Sequence, residues 1–189
     1  MITATFFMKN KSKIVLKLLP EKAPNTVASF VHAVKIGVYN DHAIQRIVPR
    51  KWIDLSYDAF GKKEAKYLLP DEFKLHPEIQ PLPVKAGYVC MGGYGELGLS
   101  GCEVFFPLTD QIQLTGTYPV FAKVIDGMDE LKRLEKVKTH PVEKFPYKNV
   151  EVNEPIKPEI IDRVVLDPEN IDFPLPIVLK NKELPKTWQ

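Results

Sequence analysis

Little in this chain suits the chemistries that are easiest to recognise from sequence. Among 189 residues there are two cysteines, Cys90 and Cys102. Two cannot make a disulfide framework, and neither has a metal-ligating neighbour at a useful spacing. Both fall in apolar, strand-like segments and read as inert core residues. The four histidines, His32, His42, His76 and His140, are scattered, with no H-E-x-x-H helix and no nucleophile elbow. No metal or other cofactor is expected. The net charge is only +2, and the densest basic cluster, KKEAK at 62–66, is interrupted by an acid and reads as a solvated loop. That balance argues against a nucleic-acid or membrane-surface partner. No apolar run approaches the roughly 20 residues that span a bilayer. The opening MITATFFMKNKSK is too briefly apolar for a secretory leader and lacks a small-residue cleavage site. A soluble, cytoplasmic protein is the expectation.

What the chain does have is material for a core: 44% hydrophobic residues against 26% charged, a balance that excludes global disorder. The runs at 2–8 and 13–19, separated by KNKS, predict a hairpin. The period then changes: Val27, Phe30, Val31 and Val34 recur at helical spacing between Pro24, suited to a first turn, and Gly37, suited to a stop. Strand-like segments follow at 44–48 and 51–55, then a polar stretch to residue 70 and a segment from Leu69 to Gly87 with too many prolines for regular structure. GYVCMGG, EVFFPL and YPVFAKVI read as further short strands. GMDELKRLEKVK predicts a second helix with Met128, Leu131, Leu134 and Val137 on one face, and 160–166 is the last strand. Two helices and about eight short strands without βαβ alternation argue a mainly β fold, an antiparallel closed sheet or barrel. Residues 1–167 form one domain on this reading. Residues 168–189 carry four of the 17 prolines; they read as a proline-rich extension, docked as an extended strap through Phe173, Leu175, Ile177 and Val178 and dispensable for the barrel.

One motif points the wrong way. GYGELG at 93–98 satisfies the glycine template of a dinucleotide-binding loop, but that loop must open a helix within a βαβ unit. Here it leads into LSGCEVFFPL, a strand, and a glycine-rich surface loop is the better reading.

The stretch AIQRIVPRKWIDLS, 43–56, sets a lone charge, Arg46, inside a run that otherwise wants apolar surroundings. One reaction needs such a group and neither nucleophile nor metal. Rotation about an X–Pro bond breaks only amide resonance, against a barrier of roughly 18–20 kcal/mol. A catalyst lowers it by binding the twisted state preferentially. That takes an apolar pocket for the prolyl ring and a fixed donor aimed at the proline nitrogen, and a guanidinium is a permanently charged, rigid donor. Without further support, the better reading of Arg46 is a surface arginine, and of Phe105 and Leu114 ordinary core residues, since apolar strand residues usually face a core.

Further support comes from a resemblance. KIVLKLLPEKAPNTVASFVHAVKIGVYN, IQRIVP, LPDEF, GYVCMGG, GCEVFFPL and LTGTYPVFAKVIDGMDELKRLEKV resemble, in order and spacing, segments of the cyclophilin-type peptidyl-prolyl isomerases across residues 2–167. The resemblance implies an eight-stranded antiparallel barrel capped by two α-helices. It places Arg46 at the family's catalytic arginine, Phe105 on the floor of the proline pocket, Leu114 at the pocket leucine and Tyr118 at a pocket histidine. The rim departs from the pattern. Gln45 replaces a histidine, Asp54 a glutamine that bonds the arginine, and Glu103 another pocket glutamine. Gly92 and Gly93 stand for an alanine–asparagine pair that holds substrate backbone, and Gln113 for a tryptophan. PRKWIDLSY replaces PGFMIQGGD, so either Lys51 or Trp52 takes the position of the pocket phenylalanine. The implied function is prolyl isomerisation in assistance of protein folding, on proline-containing peptide or protein segments, with weak binding of cyclosporin-type ligands. The alternative is a cyclophilin-like module that binds proline segments with little or no turnover.

Overall fold

In a computed structural model that describes residues 1–180 and 183–189, the chain builds one curled antiparallel sheet with helices against it. In chain order the elements are β1 (Thr3–Met8), β2 (Lys13–Leu18), α1 (Pro24–Lys35), β3 (His42–Ala43), β4 (Arg46–Val48), β5 (Trp52–Asp54), β6 (Leu68–Leu69), α2 (Glu72–Leu75), β7 (Tyr88–Gly93), β8 (Leu99–Pro107), β9 (Val120–Asp126), α3 (Met128–Glu135), β10 (Thr139–Pro141), β11 (Asn153–Pro155) and β12 (Ile160–Asp167). The sheet runs β3-β12-β1-β2-β9-β7-β8-β5-β4, with β6 also paired to β8, while β10 and β11 form a separate hairpin. The two ends of that path, β3 and β4, are separated by only two residues. Ile44 N–H donates to the Glu159 carbonyl on the β12 side, and Gln45 N–H to the Leu55 carbonyl on the β5 side. The sheet therefore rolls up until its edges meet at consecutive residues, which is the barrel the mainly β pattern predicted. Ten strands rather than about eight take part, because two-residue pairings such as β3 and β6 are below what a periodic pattern can signal.

The barrel interior is closed by α1, whose Val27, Phe30 and Val31 are buried against the sheet. Phe30 lies 5.1 Å from Phe121, and Phe6 meets Phe106 edge-on at 6.1 Å, geometries favoured by the ring quadrupoles. Both cysteines are free and buried here or beside it, as expected. The proline-rich segment holds more structure than anticipated. Asp71 accepts hydrogen bonds from Phe73 and Lys74 N–H and starts the one-turn helix α2 ahead of the prolines. That turn aims Glu72, 1% exposed, at the N-terminus of α1. The α1 cap residue, Ala23, has no side chain to offer. Glu72 supplies the acceptors instead, from Asn25 N–H at 3.1 Å, Thr26 N–H at 2.7 Å and Thr26 Oγ1 at 2.5 Å, a charge of the sign that the helix dipole favours there. The KKEAK cluster is likewise not simply solvated. Lys62 Nζ donates to the Gly37 and Val38 carbonyls just past α1, and Lys66 Nζ to the Trp188 carbonyl.

The glycine-rich stretch at 93–98 makes one short turn and enters β8, a strand, so it opens no helix. No helix among the described residues is long and apolar enough to cross a membrane.

The C-terminal extension docks, and of the four residues expected to hold it only Phe173 packs against the core. Leu175, Ile177 and Val178 are 76%, 55% and 38% exposed. The Asn25 side chain accepts from Ile177 N–H and donates to its carbonyl, so the backbone is held and the side chains point away. The apolar contacts to the main core come from Ile171, Phe173, Leu179 and Leu184, and the chain ends by burying Trp188 to 2% exposure.

Candidate active site

The strand register explains the site. Arg46 is paired with Asp54 across β4 and β5, Asp54 with Phe105 across β5 and β8, and Phe105 with Cys90 across β8 and β7. Directly opposed residues share a sheet face, so one transverse row carries a cation, a carboxylate and a phenyl ring. Their chain neighbours Ile47, Ile53 and Phe106 alternate to the other face and fill the barrel core. The row therefore lies on the outside of the barrel. There Phe105, Cys90, Val120 and Val84 make a small second core of their own, overlaid by Trp52, Leu114 and Tyr118.

Above that second core is a cavity of about 160 Å³ lined by Arg46, Trp52, Asp54, Gly92, Gly93, Phe105, Leu114 and Tyr118. Tyr118 stands perpendicular to Phe105 at 5.6 Å, and Trp52 meets it at 6.3 Å and 66°. Trp52, not Lys51, thus occupies the pocket position that the rewritten segment left open. Its indole Nε1 is the one buried side-chain polar atom among the described residues with no hydrogen-bond partner. Six of these residues, Arg46, Trp52, Asp54, Gly92, Gly93 and Tyr118, also border a wider cavity of about 570 Å³, which Glu103 reaches with Tyr57, Tyr94, Phe145 and Tyr147. The two spaces form one cleft. Gln113 stands apart from the other expected site residues. It is exposed, and its amide donates to Gln111 Oε1 at 2.8 Å.

Arg46 is held from three sides. Nη1 donates to Asp54 Oδ2 at 3.1 Å, the guanidinium carbon lies 5.4 Å from the centre of the Trp52 ring, and Nε donates to the Glu151 carbonyl at 2.7 Å. The side chains of Arg46 and Asp54 are 13% and 19% exposed. Burial pushes the Asp54 carboxyl up to about 6, against the opposing pull of Arg46. Glu103 lies deeper. It accepts from Tyr94 OH at 2.7 Å, Ala59 N–H at 2.8 Å and Trp188 Nε1 at 2.8 Å, yet burial dominates and pushes it up to about 8. The glycine pair also has a physical reason. A Cβ on Gly93 would come within 3.1 Å of the Leu99 side chain and 3.2 Å of the Gly98 carbonyl, and one on Gly92 within 3.1 Å of the Glu103 carbonyl.

Sequence reasoning missed Tyr57, Tyr94, Phe145 and Tyr147, the Glu151 carbonyl and the Trp188 indole. Phe145 and Tyr147 lie between β10 and β11 with no periodicity to mark them, and a backbone carbonyl leaves no trace in residue identity.

A barrel whose outer face carries an arginine over an aromatic floor defines a class, and comparison with known proteins names it. The sequence model of the cyclophilin type peptidyl-prolyl cis-trans isomerase/CLD family matches residues 3–155, and the chain belongs to that family. It is 29% identical over 147 residues to peptidyl-prolyl cis-trans isomerase CYP59 of Arabidopsis thaliana, covering 74% of this chain and 29% of that protein. It is 25% identical over 142 residues to peptidyl-prolyl cis-trans isomerase-like 1 of Aspergillus fumigatus, covering 74% and 86%. Among the first three curated relatives the match spans 29%, 24% and 61% of their lengths. The crystal structure of a cyclophilin type isomerase from Cryptosporidium parvum, determined in the presence of the dipeptide Ala-Pro, superposes with a TM-score of 0.67 at 21% identity, covering 86% of this chain and 97% of that one. At that identity the likeness speaks for the fold.

Proposed function

We propose that this chain is a peptidyl-prolyl cis-trans isomerase acting on proline-containing segments of peptides or proteins, in assistance of their folding. The observation that carries the reading is the row Arg46–Asp54–Phe105, which sets a charged donor beside an apolar floor in a cavity of about 160 Å³. An enclosed space of about 150 Å³ takes a benzene molecule, so a prolyl ring fits. In this reading the ring rests on Phe105 between Tyr118, Leu114 and Trp52. Arg46 donates to the prolyl nitrogen as it pyramidalises and loses resonance, and stabilises the twisted state more than either planar isomer. Asp54 orients the guanidinium by a charge-assisted hydrogen bond, and the Gly92–Gly93 backbone lies where a substrate backbone can approach. No bond to the enzyme forms and no proton is transferred.

A second reading is favoured by one observation: Arg46 already spends Nε on Glu151 and Nη1 on Asp54. A guanidinium so committed would hold a proline segment and turn it over slowly. Exchange spectroscopy on X–Pro peptides separates the two. Accelerated cis–trans exchange supports the isomerase, saturable binding without acceleration supports the binding module, and neither overturns both. Cyclosporin-type ligands are expected to bind weakly, because exposed Gln113 offers no indole and Gly92–Gly93 no side chain. A nanomolar dissociation constant by calorimetry would contradict this.

A further inference from the structure

We propose that residues Lys186 to Trp188 buttress from behind the aromatic far wall of the cleft, and that this wall selects peptides carrying an aromatic side chain near the proline. The proposal rests on the proline-peptide reading above and names its substrate class.

The wide end of the cleft is walled by four neighbouring rings, one pair edge to face and the others tilted. Phe145 meets Tyr57 at 5.1 Å and 87°, and Tyr147 lies 6.0 Å from Phe145 and 6.2 Å from Tyr94. Rings so arranged leave faces and edges for one more ring. Neither Tyr94 nor Tyr147 is fixed by its own element alone. Behind Tyr94, Trp188 packs at 5.4 Å and 80°, and its Nε1 donates both to Glu103 Oε1 and, at 3.1 Å, to Tyr94 OH. Tyr94 OH gives its proton to Glu103 Oε2, and Thr187 Oγ1 lies 3.3 Å away. Its polar end is thereby satisfied on the protein side, and the ring is left to the cleft. Tyr147, in the loop between β10 and β11, accepts from Lys186 N–H at 3.0 Å. Three consecutive residues thus hold both sides of the wide end. Lys66 Nζ, donating to the Trp188 carbonyl, ties them to the barrel. Trp188 itself does not line the cleft, so it is a positioning residue. A buried glutamate paired with the indole is hard to account for by packing alone, since an apolar partner would fill the space without burying a carboxyl.

The test measures turnover and KM of the full chain on two peptides, one with alanine around the X–Pro bond and one with phenylalanine two or three residues from the proline. The wild type is expected to favour the phenylalanine peptide through KM. Trp188→Phe keeps a ring but removes the indole donor. It is expected to leave both constants unchanged on the alanine peptide and to raise KM for the phenylalanine peptide by roughly three- to tenfold, the scale of one lost hydrogen bond. Tyr147→Ala is expected to lower the preference ratio by a similar factor, and it decides the matter alone if Trp188→Phe does not fold. Equal losses on both peptides in Trp188→Phe would make the tail merely structural and overturn the proposal, as would a wild type that handles both peptides alike. A wild type that neither binds nor isomerises either peptide would instead remove the isomerase reading, and this inference with it.

Discussion

Arg46 shows how one residue can serve two ends. Its guanidinium lines the same cavity as Phe105, and its Nε also ties the loop before β11 to β4 through the Glu151 carbonyl. Arg46→Ala therefore should not be silent structurally. Removing two hydrogen bonds is expected to lower stability by about 1–3 kcal/mol, readable by thermal melt. Turnover should fall by about 10²–10³-fold, the scale for one preorganised donor to a developing charge. Arg46→Lys is expected to restore little, because an ammonium cannot serve Asp54, Glu151 and a prolyl nitrogen from one planar fork. A variant that melts much earlier but keeps its rate would show that Asp54 has made Arg46 a purely structural cation. Arg46, Asp54 and Phe105 were legible in the sequence through the family resemblance; strand period alone does not give the register that sets them in one row. The third partner of Arg46 was not legible, since any residue at position 151 would present the same carbonyl.

At the scale of elements, the least legible part of the fold is the junction of α1 with α2. The periodicity of α1 is plain, and Pro24 marks its start, yet Ala23 gives no cap. The missing acceptor comes from Glu72, 47 residues away from Asn25, in a segment whose prolines argued against any helix. A single turn escapes pattern reading because it is shorter than the period that would reveal it. Glu72→Ala is expected to cost about 1–3 kcal/mol, lowering the melting temperature while leaving peptide selectivity alone. A neutral result would mean that water replaces the carboxylate at the N-terminus of α1. The tail misled in the opposite sense. Its most apolar run, Leu175 to Val178, faces outward, whereas single residues at wider spacing, Phe173, Leu179, Leu184 and Trp188, make the contacts. In an extended proline-rich chain without a partner strand there is no period to say which side chain turns inward.

For the molecule as a whole, the two raised carboxyls predict how stability follows pH. Glu103 binds its proton more tightly folded, at about 8, than at its ordinary value of 4.5. Asp54 does so at about 6 against 3.8. A group raised in this way contributes stability that is complete below its ordinary value and is lost as pH rises through the folded one. His42 acts in the opposite direction, since burial lowers it below 6.5, and it stops contributing a slope above that point. Between pH 6.5 and 8 the Glu103 slope stands clear, and stability is expected to fall by up to about 1.4 kcal/mol per pH unit. Glu103→Gln keeps the shape and should flatten that slope in a series of thermal melts. An unchanged slope would place the titrating group elsewhere. The barrel itself was readable from alternating strands and absent βαβ units. How its rim is buttressed was not, because the buttress comes from a tail outside the matched family segment.

The chain has two tryptophans: Trp52 lines the cleft beside Phe105, where its two spaces join, and Trp188 lies behind the aromatic wall, outside the lining. One indole is thus an optical probe inside the cleft and the other a probe behind it. In Trp188→Phe all remaining indole emission comes from Trp52, within reach of whatever settles on Phe105. In Trp52→Phe it reports on the Glu103 carboxyl and the seating of the chain terminus. Two single-tryptophan proteins can thus show, without any label, whether a peptide settles inside the cleft and whether its arrival is felt at the buttress behind the wall.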